Sequence, residues 1–169
     1  KLLQAMSDAG IEVIVLKGSL FADVIYKDPF YKKMNDVDVL IRRRDAEKAI
    51  AVLKSLSFSG VGALFGKDEL SSKSHHTPPY VSADLGCVVG LHWGLVSPLS
   101  PWKPDDQGIW KRKVAVRVAG APCFGMSWED NLLHLCIHLP FFKTGLRELA
   151  DVYNVALHVG IDWKLFDQR

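Results

Sequence analysis

No apolar run in the sequence approaches the ~20 residues that a membrane-spanning helix needs. The start also lacks a basic region followed by an apolar stretch and a cleavage site. A cytoplasmic location without a membrane partner is therefore expected. Cysteine is scarce: Cys87, Cys123 and Cys136 form an odd set without CxxC or Cys/His ligand spacing, which argues against a disulfide framework and a structural zinc site. Charge of one sign is missing too. With 21 basic and 19 acidic side chains the formal charge is +2, too weak a field to imply a nucleic-acid partner. Arg42-Arg43-Arg44 has no interleaved aromatics and reads as a solvated strand end. Repeats and low-complexity tracts are absent. What remains is a 169-residue chain, 49% hydrophobic and 24% charged, able to bury the core of one ordinary domain, or one with a small appendage.

The pattern along the chain is α/β, with a mainly helical last third. Leu2, Leu3 and Met6 stand at helical spacing, closed by Gly10. Ile11 to Leu16 is β-branched and apolar, a buried strand that runs into Lys17-Gly18-Ser19 and a helix. A polar loop from Tyr26 leads to a second strand, Asp36 to Ile41, and Asp45 is placed to cap a helix from Ala46 to Leu56. Residues Ser57 to Ser74 read as irregular or a weak hairpin, and His75-His76 as surface. Pro79 to Val81 and Cys87 to Trp93 read as antiparallel strands around Asp84-Leu85-Gly86. A proline-rich connection from Ser97 to Asp106 precedes a strand at Val114 to Val118. Ser127 caps a buried helix, and a second helix spans Gly145 to His158. The expected division is an α/β domain over 1–120 and a helical part over 121–169. With Lys1 at one end and an amphipathic stretch at the other, that helical part is expected to be truncated.

One constellation carries chemistry. Asp36 and Asp38 are two apart in a strand, so both leave the same face while Val37, Val39 and Ile41 point into the core. Adjacent carboxylates repel unless a positive charge lies between them. A hard divalent cation, Mg²⁺ or Mn²⁺, suits them and keeps positions open for phosphate. Lys17-Gly18-Ser19, at a glycine turn entering a helix, offers backbone N–H groups, a hydroxyl and an ammonium to phosphate. Each half alone is common punctuation; together and in order they are a stronger signal.

Gly18-Ser19 followed by Asp36-Val37-Asp38 resembles the signature of the DNA polymerase β-like nucleotidyltransferase superfamily. The strings Val15-Leu16-Lys17-Gly18, Tyr26-Lys27-Asp28-Pro29 and Met34 to Ile41 are similar to an uncharacterised bacterial nucleotidyltransferase family, as is Leu91-His92-Trp93. The resemblance implies a polymerase β-like α/β fold with a short mixed sheet. It also implies Mg²⁺-dependent transfer of a nucleoside monophosphate from a nucleoside triphosphate to an unknown small-molecule or protein acceptor. Asp36 and Asp38 would be catalytic and bind metal. Lys17, Gly18, Ser19 and Lys32 would hold the triphosphate.

Two positions depart from the family pattern. A third carboxylate usually precedes His-Trp by two residues, and Gly90 stands there. Lys32 replaces the arginine expected ahead of the Asp strand, losing its forked geometry. Asp84 is the candidate to substitute for the missing acid, and His92 shares the face of Gly90. The alternative function is therefore a catalytically degenerate nucleotide-binding or regulatory module. A partner in a toxin–antitoxin-like pair is a third reading. His134 and His138, four apart on a helix, lack an HExxH pattern, and Asp151 is expected to pair with one of them.

Overall fold

The computed structural model describes residues 1–62, 68–139 and 145–169. At its centre is a seven-stranded mixed sheet in the order β3-β4-β5-β2-β1-β7-β6. The strands are β1 (Ile14–Val15), β2 (Val37–Leu40), β3 (Ser59–Gly60), β4 (Tyr80–Ser82), β5 (Cys87–His92), β6 (Val114–Val118) and β7 (Ala121–Gly125). β1 lies antiparallel to β2 and parallel to β7, and β2 lies parallel to β5. Hairpins close the two sides, β4–β5 and β6–β7.

Strand alternation divides the interior into two cores. Val15, Val39, Val89 and Leu91 join Met6, Leu20, Phe21, Leu53 and Leu135 on one face, supplied by α1 (Leu2–Asp8), α2 (Lys17–Val24), α3 (Ala46–Ser55) and α5 (Trp128–His138). Ile14, Leu16 and Leu40 point the other way, toward Leu95, Met126 and the Ile109 and Trp110 side chains of α4 (Asp106–Arg112). Each side chain of this size, fully buried, stabilises by about 1.5–3 kcal/mol before entropy is set against it. Asp38 shares the second face with Leu40, which leaves the carboxylate beside the smaller core instead of inside the larger one.

Among the elements not anticipated are α4 and β7. α4 interrupts the proline-rich connection, capped by Asp105, whose carboxylate accepts from the Gly108 N–H at 2.8 Å; the internal glycine hid it. β7 contains Pro122, which argues against an interior strand. It escapes that rule because β1 is short and pairs only at Phe124. The expected boundary at 120/121 therefore cuts the β6–β7 hairpin, and the helical stretch starts after Gly125.

The arginine run is not simply solvated. Arg42 lies over the Trp110 ring at 4.4 Å and Arg43 over Trp93 at 4.0 Å. The aromatics are distant in sequence, so interleaving could not reveal them. Ser127 does cap α5, accepting from the Asp130 N–H at 3.2 Å. α6 (Leu146–His158) packs on α5 and is followed by α7 (Trp163–Phe166). Among the described residues no helix is long and apolar enough to cross a membrane.

Candidate active site

β2 and β5 run parallel with Asp38 opposite Gly90 and Leu40 opposite His92. Gly90 and His92 therefore share the sheet face of Asp38. The His92 Nε2 lies 3.1 Å from Asp38 Oδ1. Burial pushes the Asp38 carboxyl up, but the His92 hydrogen bond and the charges of His92, Lys17 and His138 outweigh it and hold Asp38 below its ordinary range. Asp36 behaves oppositely: burial, then repulsion from Asp38, raises it against the pull of Lys17 and His92. The environments of the two carboxyls thus push them apart.

Lys17 enters from the β1–α2 junction. Its φ is +42°, a left-handed conformation rare without glycine. The Leu16 N–H donates to the Asp38 carbonyl at 3.0 Å, tying this junction to β2. The Lys17 Nζ lies 3.1 and 3.2 Å from the two ring nitrogens of His138, at the end of α5. Burial lowers Lys17, partly offset by Asp38 and Asp36. Burial, then the nearby ammonium, pushes His138 down to about 3, so it is a neutral imidazole at pH 7.

Two cavities meet at these groups. One, of about 230 Å³, is lined by Gly18, Lys32, Lys33, Met34, Asn35 and Arg147 among others. The second, of about 570 Å³, is lined by His75, His76, Thr77, Val88, Gly90 and His92 among others. Lys17, Asp36, Asp38 and His138 line both. The smaller cavity is lined by basic and acidic side chains in equal number, the larger is mainly apolar, and the carboxylate pair borders both.

The comparisons with known proteins meet this geometry. Over residues 1–169 the chain matches the family described as "Uncharacterised nucleotidyltransferase". The chain belongs to that family. No curated protein matches it. Among solved structures it is similar to the solution structure of the antibiotic-resistance factor ANT(2'')-Ia, at 11% identity and TM-score 0.67, covering 99% of this chain and 84% of that one. The lincosamide antibiotic adenylyltransferase LnuA, bound to lincomycin, is similar at 14% identity and TM-score 0.58, covering 92% of each chain. An antigenic nucleotidyltransferase-like protein from Paracoccidioides brasiliensis is similar at 19% identity and TM-score 0.55, over 91% of this chain and 71% of that one. The fold is that of the polymerase β-like nucleotidyltransferases.

Not every expected residue reaches the cavities. The helix begins at Lys17, so Ser19 sits inside its first turn, buried, with its hydroxyl donating to Met34 Sδ at 3.5 Å. Lys32 lines the smaller cavity, yet its ammonium is ion-paired with Asp151, which also accepts from the Tyr26 hydroxyl at 2.9 Å. Asp151 is thus paired with a lysine and not with a helix histidine. Asp84 is exposed in the β4–β5 turn, at the far end of β5 from His92. It lines neither cavity and is no substitute for the missing acid.

Other residues arrive unannounced. His75 and His76 are half-buried and face the larger cavity, their rings 4.4 Å apart and His76 5.0 Å from His92. Burial, then His76 and His92, pushes His75 down to about 4. Arg147 and Glu148 of α6 line the smaller cavity. Consecutive histidines in a serine-rich loop carry no periodic signal; an isolated bridge between His76 and His92 brings them in.

The donor chemistry fits a hard cation in part. Two carboxylates bordering both cavities offer oxygen ligands, and Asp36, raised first by burial, also feels repulsion from Asp38 that a cation would relieve. Among the described residues no group of three His, Cys, Asp or Glu side chains is arranged to hold a metal ion.

Proposed function

We propose that this chain is a cytoplasmic, divalent-metal-dependent nucleotidyltransferase acting on a small-molecule acceptor. What carries the reading is the meeting of two chemically different cavities at Asp36 and Asp38. The smaller cavity suits a triphosphate: it is bounded by Lys17, Lys33, Arg147 and the N-terminal turn of α2, the helix end that attracts anions. The larger suits the acceptor.

In the transfer, an acceptor hydroxyl oxygen attacks the α-phosphorus of the triphosphate. A new phosphorus–oxygen bond forms, the bond from that phosphorus to the bridging oxygen breaks, and pyrophosphate leaves. The acceptor's proton passes to a carboxylate of the pair. Lys17 offers positive charge beside the reacting phosphate, and His92 holds the Asp38 carboxylate in place through its ring N–H. Mg²⁺ held by Asp36 and Asp38 would neutralise phosphate charge and polarise the acceptor oxygen. Lys32 acts from behind, pinning the loop before β2 to α6 through Asp151.

A second reading has one observation in its favour: Gly90 occupies the position of the family's third acid. On that reading the chain binds nucleotide without turnover. Calorimetry with each nucleoside triphosphate, with Mg²⁺ or Mn²⁺, tests the site. Binding is expected in the parent and absent in Asp36→Asn/Asp38→Asn; equal binding by both chains would sink the assignment. Pyrophosphate release with a compound library then separates the enzyme from the binding module.

A further inference from the structure

Resting on that nucleotidyl-transfer reading, we propose that the larger cavity takes an uncharged, hydroxyl-bearing acceptor with an apolar body, and disfavours polyamines. The walls carry the argument. Val88, Gly90 and His92 are alternate residues of β5, so all three face the cavity while Val89 and Leu91 fill the core behind. Leu95, Val96, Leu99 and Pro101 supply further apolar surface to the lining. Leu99, 89% exposed, stands as bare hydrocarbon in the cavity lining, where a ligand's apolar body would cover it.

Charge is nearly absent. Among the described lining residues other than histidine, Lys17, Asp36 and Asp38 carry formal charge, and all three also line the smaller cavity. Burial keeps His75 and His138 neutral at pH 7. A polycation would desolvate several ammonium groups against apolar walls and neutral imidazoles, and of the two carboxylates among the described lining residues Asp38 is already hydrogen-bonded by His92 and both feel the Lys17 ammonium. A polyanion would meet Asp36 and Asp38 with Lys17 alone to offset them.

The cavity does hold hydrogen-bonding capacity for a neutral hydroxyl. Thr77 is 1% exposed, lines the cavity, and its buried Oγ1 has no hydrogen-bond partner. A buried hydroxyl without a partner is costly, and a ligand hydroxyl would satisfy it. The His76 Nδ1 donates to the Thr77 carbonyl at 2.6 Å, which fixes the ring. The Thr77 hydroxyl, with Ser97 and Ser100 also in the lining amid imidazole and hydrocarbon, matches a hydroxylated molecule better than a heavily charged one.

The probe pair is phenyl β-D-glucoside and its 2-amino-2-deoxy analogue, which differ by one ammonium in place of one hydroxyl. Each is titrated into isotopically labelled protein by nuclear magnetic resonance, and ATP with Mg²⁺ is titrated in parallel. The neutral glycoside is expected to shift Thr77, Val88 and His75 signals and to bind about tenfold tighter than the amine. Val88→Asp, a change at a half-exposed position, is expected to reverse that order, and Thr77→Val to weaken the neutral probe with ATP binding unchanged. Tighter binding of the amine to the parent, shifts confined to other surfaces, or no binding of the neutral probe overturns the proposal. If ATP binds while the glycoside does not, only the acceptor assignment falls. If the glycoside binds while ATP does not, the nucleotidyl-transfer reading falls.

Discussion

His92 and Asp38 are joined across two parallel strands, Nε2 to Oδ1 at 3.1 Å, over a residue without a side chain. A Cβ built on Gly90 would lie 2.4 Å from that Oδ1 and 3.1 Å from that Nε2. The glycine is therefore the space through which the hydrogen bond passes, and not only a lost carboxylate.

Gly90→Ala is accordingly expected to fold, since the atoms displaced are side-chain ends, but to push the Asp38 carboxylate off His92. Losing a hydrogen bond to a charged group costs about 1.5–3 kcal/mol. Mg²⁺-dependent triphosphate binding should weaken about tenfold or more. Unchanged binding by calorimetry would show that the His92 contact does not orient the carboxylate.

Asp151→Asn removes the partner of a lysine that is 7% exposed. Breaking one side of a buried ion pair costs about 3–5 kcal/mol, because the remaining charge stays desolvated. Urea denaturation should show that loss. Lys32→Met/Asp151→Leu should recover much of it, since an apolar pair leaves no buried charge behind. If the double variant is as unstable as the single one, the pair is not the source of the loss.

Acid should destabilise the fold in the range where histidines titrate. His75 and His138 have folded pKa values of about 4 and about 3, and buried His134 lies well below its ordinary value, each lowered first by burial. The unfolded chain binds these protons near pH 6.5 and the folded chain does not. The stabilisation is therefore present above pH 6.5 and is lost as pH falls toward the folded values. Between pH 7 and 5 the loss should be on the order of 1–2 kcal/mol after solvent screening. Denaturation at both pH values, on the parent and on His138→Asn, measures it; a parent equally stable at both would contradict the burial argument.

Arg43→Ala should cost on the order of 1 kcal/mol through the lost Trp93 stack. Arg43 also donates to the Leu70 carbonyl. Arg44→Ala, at an exposed position whose nearest ion-pair partner Asp45 is 3.9 Å away, should stay within about 0.5 kcal/mol. Thermal unfolding separates the two. Equal effects would mean that the arginine run is solvated throughout.

The sequence by itself determined most of the elements, though not α4 or β7, and singled out the carboxylate pair. Period-two alternation put Val39 and Ile41 in the core and Asp38 on the opposite face, and it holds because strand geometry is local, although β2 begins at Val37, after Asp36. The Ser127 cap and the strands around Asp84-Leu85-Gly86 are local in the same way. Tertiary structure decided everything that depends on register between distant segments. It set Gly90 opposite Asp38, brought His75, His76 and His138 to the cavities, covered Ser19 with Met34 and engaged Lys32 with Asp151. Each of those pairs is separated by many residues, and no periodicity within one segment encodes which partner another segment will present.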